Sequence, residues 1–225
     1  MIVCGIATLK EREDSFRRAI DSIYGQVDKV IACLNYYSEI PKWAWDYPKM
    51  ECWLGSNIAG ASGKYLRVSQ CKGYYLSIDD DLEYPSNWVE FILKGIDKYH
   101  CIVTTHGKRY DNTPTTSYRR DLTTNIRCLG GLLSDTEVHV GGTGAMGFHT
   151  DDFKLHIFDF KYPNKVDVEV AREAHRQGVK IMCLAHRSDM LKYMKPEGGT
   201  IWQKEVDDTI QTAIVNEFLS DTKAI

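Results

Sequence analysis

Gly73-Tyr74-Tyr75-Leu76-Ser77-Ile78-Asp79-Asp80-Asp81-Leu82-Glu83 places three consecutive aspartates directly behind a short apolar run. Tyr74 to Ile78 has the length and the β-favouring side chains of a buried strand. Ligands of open α/β sheets bind where strands end. Adjacent like charges repel and raise one another's pKa, so such a cluster at a strand end suits a hard, oxygen-seeking ion such as Mn²⁺ or Mg²⁺. A solvated acidic turn leading into the next helix is the plainer alternative.

Upstream of this stretch, strand-like and helix-like segments alternate, which predicts a βαβ sheet and an α/β fold. Met1 to Ala7 reads as a buried strand, and Phe16, Ala19, Ile20 and Ile23 then repeat at helical spacing. Lys29 to Leu34 is the second strand. Asn35 to Met50 is rich in Trp, Tyr and Pro and predicts no regular helix, whereas Glu51 to Leu54 predicts a third strand. Ala61 to Gln70 reads as a helix. Downstream, Trp88, Phe91, Ile92 and Ile96 mark a helix entered through Pro85 and Ser86, and Cys101 to Thr105 a strand. A polar stretch from His106 to about Asp135 has no sustained period and is expected as a loop over the site. After it come a strand at Glu137 to Val140, the glycines of Gly141-Gly142-Thr143-Gly144, a helix near Val166 to Gln177, a strand at Lys180 to Leu184 and a terminal helix around Trp202 to Leu219.

Composition narrows the function. The 225 residues are 43% hydrophobic and 26% charged, which suits one compact domain. Lys plus Arg number 28 against 31 Asp plus Glu, a net charge of −3, so no broad basic field is available to grip nucleic acid through its phosphates. Apolar runs such as Ile2 to Ala7 are far too short for a transmembrane helix, and the first of them lacks the flanks of a signal peptide. The cysteines number seven, and Cys4, Cys33, Cys101 and Cys183 sit in strand-like runs with no C-x-x-C or zinc spacing. A reducing, cytoplasmic compartment is expected.

Two phosphate chemistries that place acids behind a strand fit poorly. Haloacid-type phosphatases need Thr four positions after the first aspartate, where this chain has Glu83. Sugar nucleotidyltransferases need a glycine-rich loop after the first strand, where this chain has Thr8-Leu9-Lys10-Glu11-Arg12.

The residues resemble instead the GT-A glycosyltransferases, particularly family 2. The resemblance rests on Ala7-Thr8-Leu9-Lys10-Glu11-Arg12-Glu13-Asp14 through Gln26, on Gly63-Lys64-Tyr65, and on the Asp-x-Asp of Asp79 to Asp81, and it extends to about Leu191. It is closest to bacterial and viral polysaccharide-type members, chlorovirus capsid-protein glycosyltransferase domains among them. It implies a GT-A domain over residues 1–200, a mostly parallel twisted sheet flanked by helices, with 201–225 a C-terminal helix that leads toward further domains in a longer chain. It also implies a metal-dependent hexosyltransferase moving a sugar from a nucleotide donor, UDP ahead of GDP and dTDP, to a hydroxyl of a glycan or glycoprotein.

By the same resemblance Thr8 lines the base pocket, Lys64 reaches the nucleotide, Asp79 holds the ribose side, Asp80 belongs to the nucleotide-sugar site, and Asp79 and Asp81 bind Mn²⁺ or Mg²⁺. The family usually supplies an Asp for uracil after the second strand. Asn35 stands there, and its amide can still both accept and donate. Asp167 is implied as the base that takes the acceptor proton, with Glu169 and Asp152 as substitutes. His186 is implied as a metal ligand, and Arg187 as a phosphate contact. Gly142 is expected to let the backbone approach the sugar, or simply to make a tight turn. Phe148-His149 is expected toward the acceptor. Trp43, Trp45 and Tyr47 suit either a sugar platform or core packing. A non-catalytic carbohydrate-binding module would explain those aromatics, but it needs no Lys64, Asp79 and Asp81 around a diphosphate.

Overall fold

β1 (Ile2–Leu9), β2 (Lys29–Asn35), β3 (Met50–Gly55) and β4 (Tyr74–Ile78) run parallel, in the spatial order β3-β2-β1-β4. The structure, a computed structural model, describes residues 1–111, 114–195 and 207–221. A two-residue strand β5 (Leu82–Glu83) follows the acidic turn. The central sheet continues past β4 through β11 (Ala145–His149), β6 (Ile102–Thr104), β12 (Ile181–Cys183) and β9 (Thr136–Val138), making eight strands in all. β11 is antiparallel to both β4 and β6, β12 is parallel to β6, and β9 closes the edge antiparallel. This mixed, mostly parallel sheet is flanked by helices on both faces.

Alternation along the strands builds two cores. In β4, Tyr75 enters the core shared with α3 (Val166–Arg176) and α4 (Thr209–Asp221), while Leu76 and Ile78 enter the core beneath α1 (Glu13–Tyr24) and α2 (Trp88–Tyr99). Phe16, Ile20 and Ile23 of α1 are fully buried on the second side. Ile214, Val215 and Phe218 of α4 join Val168 and Ala171 of α3 on the first. Part of the expected terminal helix, residues 202–206, lies outside the described residues. Among the described residues no helix is long and apolar enough to cross a membrane.

Several expectations change. Residues 61–70 form two short 3-10 turns, Gly60–Tyr65 and Val68–Gln70; the first is pressed against Gly5 of β1, and the Tyr75 hydroxyl of β4 donates to the Lys64 carbonyl at 2.6 Å. The polar 106–135 stretch holds β7 (Gly107–Arg109) and β8 (Thr124–Ile126), which pair with β10 (Val140–Gly141) in a separate three-stranded sheet ordered β10-β7-β8. β13 (Lys192–Tyr193) pairs with β5 just beyond the acidic turn. The antiparallel register sets His149 against Tyr74, so Phe148 is core and His149 lies at the rim remote from Asp79. Trp43 and Tyr47 pack on α1, Trp43 donating to Glu13 at 3.0 Å and Tyr47 to Asp21 at 2.5 Å, while Trp45 points outward. They form no shared sugar platform.

Candidate functional site

Strand order reverses direction at β1 and β4, and the carboxyl ends of these two strands open into a cleft of about 880 Å³. Thr8, Asn35, Lys64, all three aspartates, Gly142 and Asp167 line it. A second hollow of about 1060 Å³ lies at the other end of β4, beside Gly73 and His149, with its charges paired locally, Arg176 to Glu173 and Lys154 to Asp151. The chemistry gathers in the first.

The three aspartates have different settings. Asp79 pairs with Lys64, whose side chain is only 4% exposed. Burial pushes the Asp79 carboxyl up, but Lys64, with Arg12 behind it, outweighs burial and holds it below the usual carboxylate range. Asp80 turns inward: Thr8 Oγ1 donates to one oxygen at 2.8 Å and Arg12 to the other at 2.9 Å. Burial still raises the Asp80 pKa, against the pull of Arg12. The Asp81 carboxyl is raised to about 7, first by burial and then by the charges of Asp79 and Asp80. Tyr84 fixes the turn from below, accepting from the Asp79 amide at 2.9 Å and donating to the Gly144 carbonyl at 2.5 Å.

Opposite stands Asp167, in the first turn of α3, where the helix dipole favours a carboxylate. The backbone amide and the hydroxyl of Thr143 both donate to its Oδ1, at 2.9 and 2.8 Å. His106 sits between the two acidic groups. Burial lowers its pKa against the attraction of Asp167 and Asp79, so the neutral imidazole is favoured. The glycines of residues 141–144 make this packing possible. A Cβ at Gly142 would lie 1.8 Å from His106 Nε2, and one at Gly144 would lie 2.2 Å from Asp79 Oδ2. The room that Gly142 leaves is therefore filled by His106, which corrects the expectation of a bare backbone approach to the sugar.

Asn35 is buried at the end of β2, its amide nitrogen 3.5 Å from the Gly60 carbonyl, a long contact that leaves room for a better partner. Other expected residues lie elsewhere. Both ring nitrogens of His186 face backbone carbonyls, Leu184 at 2.7 Å and Gly130 at 3.0 Å, so neither is aimed at Asp79 or Asp81. Arg187 is 87% exposed and forked onto Asp189. Glu169 is buried against Arg172 and accepts from the Tyr162 amide at 2.8 Å, and Asp152 lies on the remote rim, 3.8 Å from His100. Neither can substitute for Asp167. Arg12, His106, Lys108 and Gln211 line the cleft without having been singled out from sequence. Arg12 lay within the quoted run after β1, where its spacing to Asp80 is invisible.

Among the described residues no three His, Cys, Asp or Glu side chains form a ready metal cage. Asp79 and Asp81 nonetheless offer hard carboxylate oxygens, which suits an ion held as much by substrate phosphates as by protein.

No family model and no curated protein matches the sequence. Solved structures do match in fold. The chain is similar to S. aureus TarS 1–349, a glycosyltransferase, in complex with UDP-GlcNAc, at a TM-score of 0.55 and 13% identity over 97% of this chain and 72% of that one. A second TarS 1–349 structure matches at 0.50 and 13% identity, over 97% and 70%. The chain thus shares the fold of these TarS structures.

Proposed function

We propose that the chain is a glycosyltransferase that moves a sugar from a nucleotide diphosphate donor, UDP in the first place, to a hydroxyl of a glycan or glycoprotein, with Mn²⁺ or Mg²⁺. One observation carries this reading: the acidic turn and Asp167 face one cleft from opposite sides, at the switch point of a GT-A sheet. The TarS structure with UDP-GlcNAc supports the choice of donor.

Asp79 and Asp81 would hold the divalent ion, which when bound offsets negative charge on the donor's diphosphate. Asn35 would meet the base, its amide serving as both donor and acceptor. Thr8 and Arg12 keep Asp80 in place and so set the direction of its neighbours. Lys64 brings a cation to the diphosphate side of the cleft, where the departing group gains charge. Asp167, fixed through Oδ1 by Thr143, would take the acceptor proton at Oδ2 as the hydroxyl oxygen bonds to the anomeric carbon and the bond to the diphosphate breaks. Such a course inverts the anomeric centre, which NMR of the product would report.

The direct test is a UDP titration with and without Mn²⁺, followed by melting temperature. At 100 times Kd a ligand adds about 2.7 kcal/mol, about 5–10 °C for a chain of this length. A shift that needs the metal supports the reading. Absence of any UDP shift removes it, and a shift indifferent to metal removes the cation's role.

A further inference from the structure

The cleft has a second half that donor chemistry does not explain. β7, the 114–127 segment and α4 contribute a second wall, with Lys108, Tyr118, Arg119, Asn125, Arg127 and Gln211 lining it and Lys108 within electrostatic reach of Asp167. Lys108 lies flat over the Tyr118 ring, its Nζ 3.6 Å from the centroid. Burial, and then Arg119, lower its pKa to about 8 despite Asp167 and Asp208. Arg119 is backed by Asp208, which accepts from its backbone amide at 2.9 Å. Gln211 adds an independent sign. It is 6% exposed, it lines the cleft, and its Oε1 is buried with no hydrogen-bond partner among the described residues. A buried amide oxygen left in that state costs free energy until a donor reaches it.

The geometry points to an acceptor subsite for an anionic glycan, a hydroxyl-rich chain bearing carboxylate or phosphate groups. This rests on the glycosyltransferase reading and names its acceptor class. A sugar hydroxyl donates to Gln211 Oε1. The anionic group lies against Lys108 and the Arg127 side chain, with Arg119 behind. Tyr118 gives the stem of Lys108 a rigid floor, so little side-chain freedom is lost on binding. A protein of net charge −3 thus carries a local cationic wall next to its proposed base, and the wall steers a charged chain to present its hydroxyl at Asp167.

The test measures binding, in the presence of UDP and Mn²⁺, of an oligogalacturonide tetramer, a 6-phosphorylated maltotetraose and plain maltotetraose to the full chain. Either charged probe is expected to bind at least about tenfold more tightly than the neutral one, with the margin shrinking at high salt. Lys108→Met and Arg127→Gln should each reduce that margin, and Gln211→Leu should weaken all three probes alike, while the UDP shift persists. Arg127 is exposed, so its variant keeps the test valid if the buried substitutions fail to fold. Equal binding of charged and neutral probes overturns the inference, as does a margin that survives Lys108→Met with Arg127→Gln. A Lys108→Met effect on UDP-glucuronate but not on the tetramers would assign the wall to the donor sugar and overturn it too. UDP binding without a preference for charged chains sinks this inference alone, whereas loss of UDP binding in the wild type sinks the donor reading.

Discussion

Gly5→Ala tests how the fold delivers Lys64 to the site. Gly5 lies in the middle of β1, and a Cβ built there would sit 1.9 Å from the Lys64 carbonyl oxygen and 2.4 Å from the Tyr75 hydroxyl. The obstacle is backbone, so no side-chain rotation relieves it. To reach ordinary contact near 3.5 Å, the 3-10 turn must retreat by well over about 1 Å. Overpacking of this kind costs about 1–3 kcal/mol, which for a chain of this size is a fall in Tm of about 2–12 °C. The larger effect falls on ligand binding, because Lys64 moves with its own carbonyl and leaves Asp79. Loss of a charged hydrogen-bond donor from the diphosphate costs about 1.5–3 kcal/mol, so UDP affinity should drop about tenfold or more, beyond what the stability loss explains. Gly25→Ala is the matched control: nothing lies within 4 Å of its Cβ, and its φ of −71° suits any residue. It should leave UDP binding unchanged and hold or slightly raise Tm. The assay is thermal melting with and without UDP and Mn²⁺. A Gly5→Ala protein that melts with the wild type and binds UDP equally would refute the claim that this close contact positions Lys64.

Asp81→Asn should remove the Mn²⁺-dependent part of the UDP shift while the protein without ligand melts at or above the wild-type temperature, since a buried carboxylate beside two others is relieved; calorimetry reads both. Asp167→Asn keeps an oxygen for Thr143 but loses the base, so kcat should fall about 10²- to 10⁴-fold with little change in donor KM, measured as turnover. For Lys108, whose pKa falls from 10.5 to about 8, the cation is present below that pH and is lost above it. Affinity for the charged tetramers should therefore decline as pH rises through about 8, whereas Lys108→Arg, with Asp167, Asp208 and Arg119 still facing it, should hold affinity to higher pH. The same shift makes the native state bind fewer protons than the unfolded chain between about 8 and 10.5, so this residue's contribution to stability rises with pH across that window.

The first half of the sheet was legible because each buried strand announces itself as an apolar run and each helix as a 3.6-residue stripe; β1, β2, β4, α1 and α2 all lie where the pattern puts them. β11 was not, because Gly144 and Gly147 break its run and its partners lie about 70 and 40 residues away in sequence, a pairing no local period encodes. Asp79 and Asp81 stood out from their pattern and Asp167 through the family resemblance, and all three line one cleft. What sequence could not show was the division of labour inside the acidic run. Asp80 faces Arg12 and Thr8 because β4 ends there and the chain turns, a three-dimensional fact. His186 failed for a related reason: a residue after a strand can point several ways, and a β-bridge to Leu132 turns this one toward carbonyls.

The three-stranded sheet β10-β7-β8 hangs beside the eight-stranded one and carries Lys108, with Asn125 on β8. Its strand β10 runs straight into Thr143, which holds Asp167. On the acceptor reading proposed above, insertions or sequence drift in that small sheet would alter which glycan is bound while Asp79, Asp81 and Lys64 stay as they are, making it the natural place to graft a new acceptor preference.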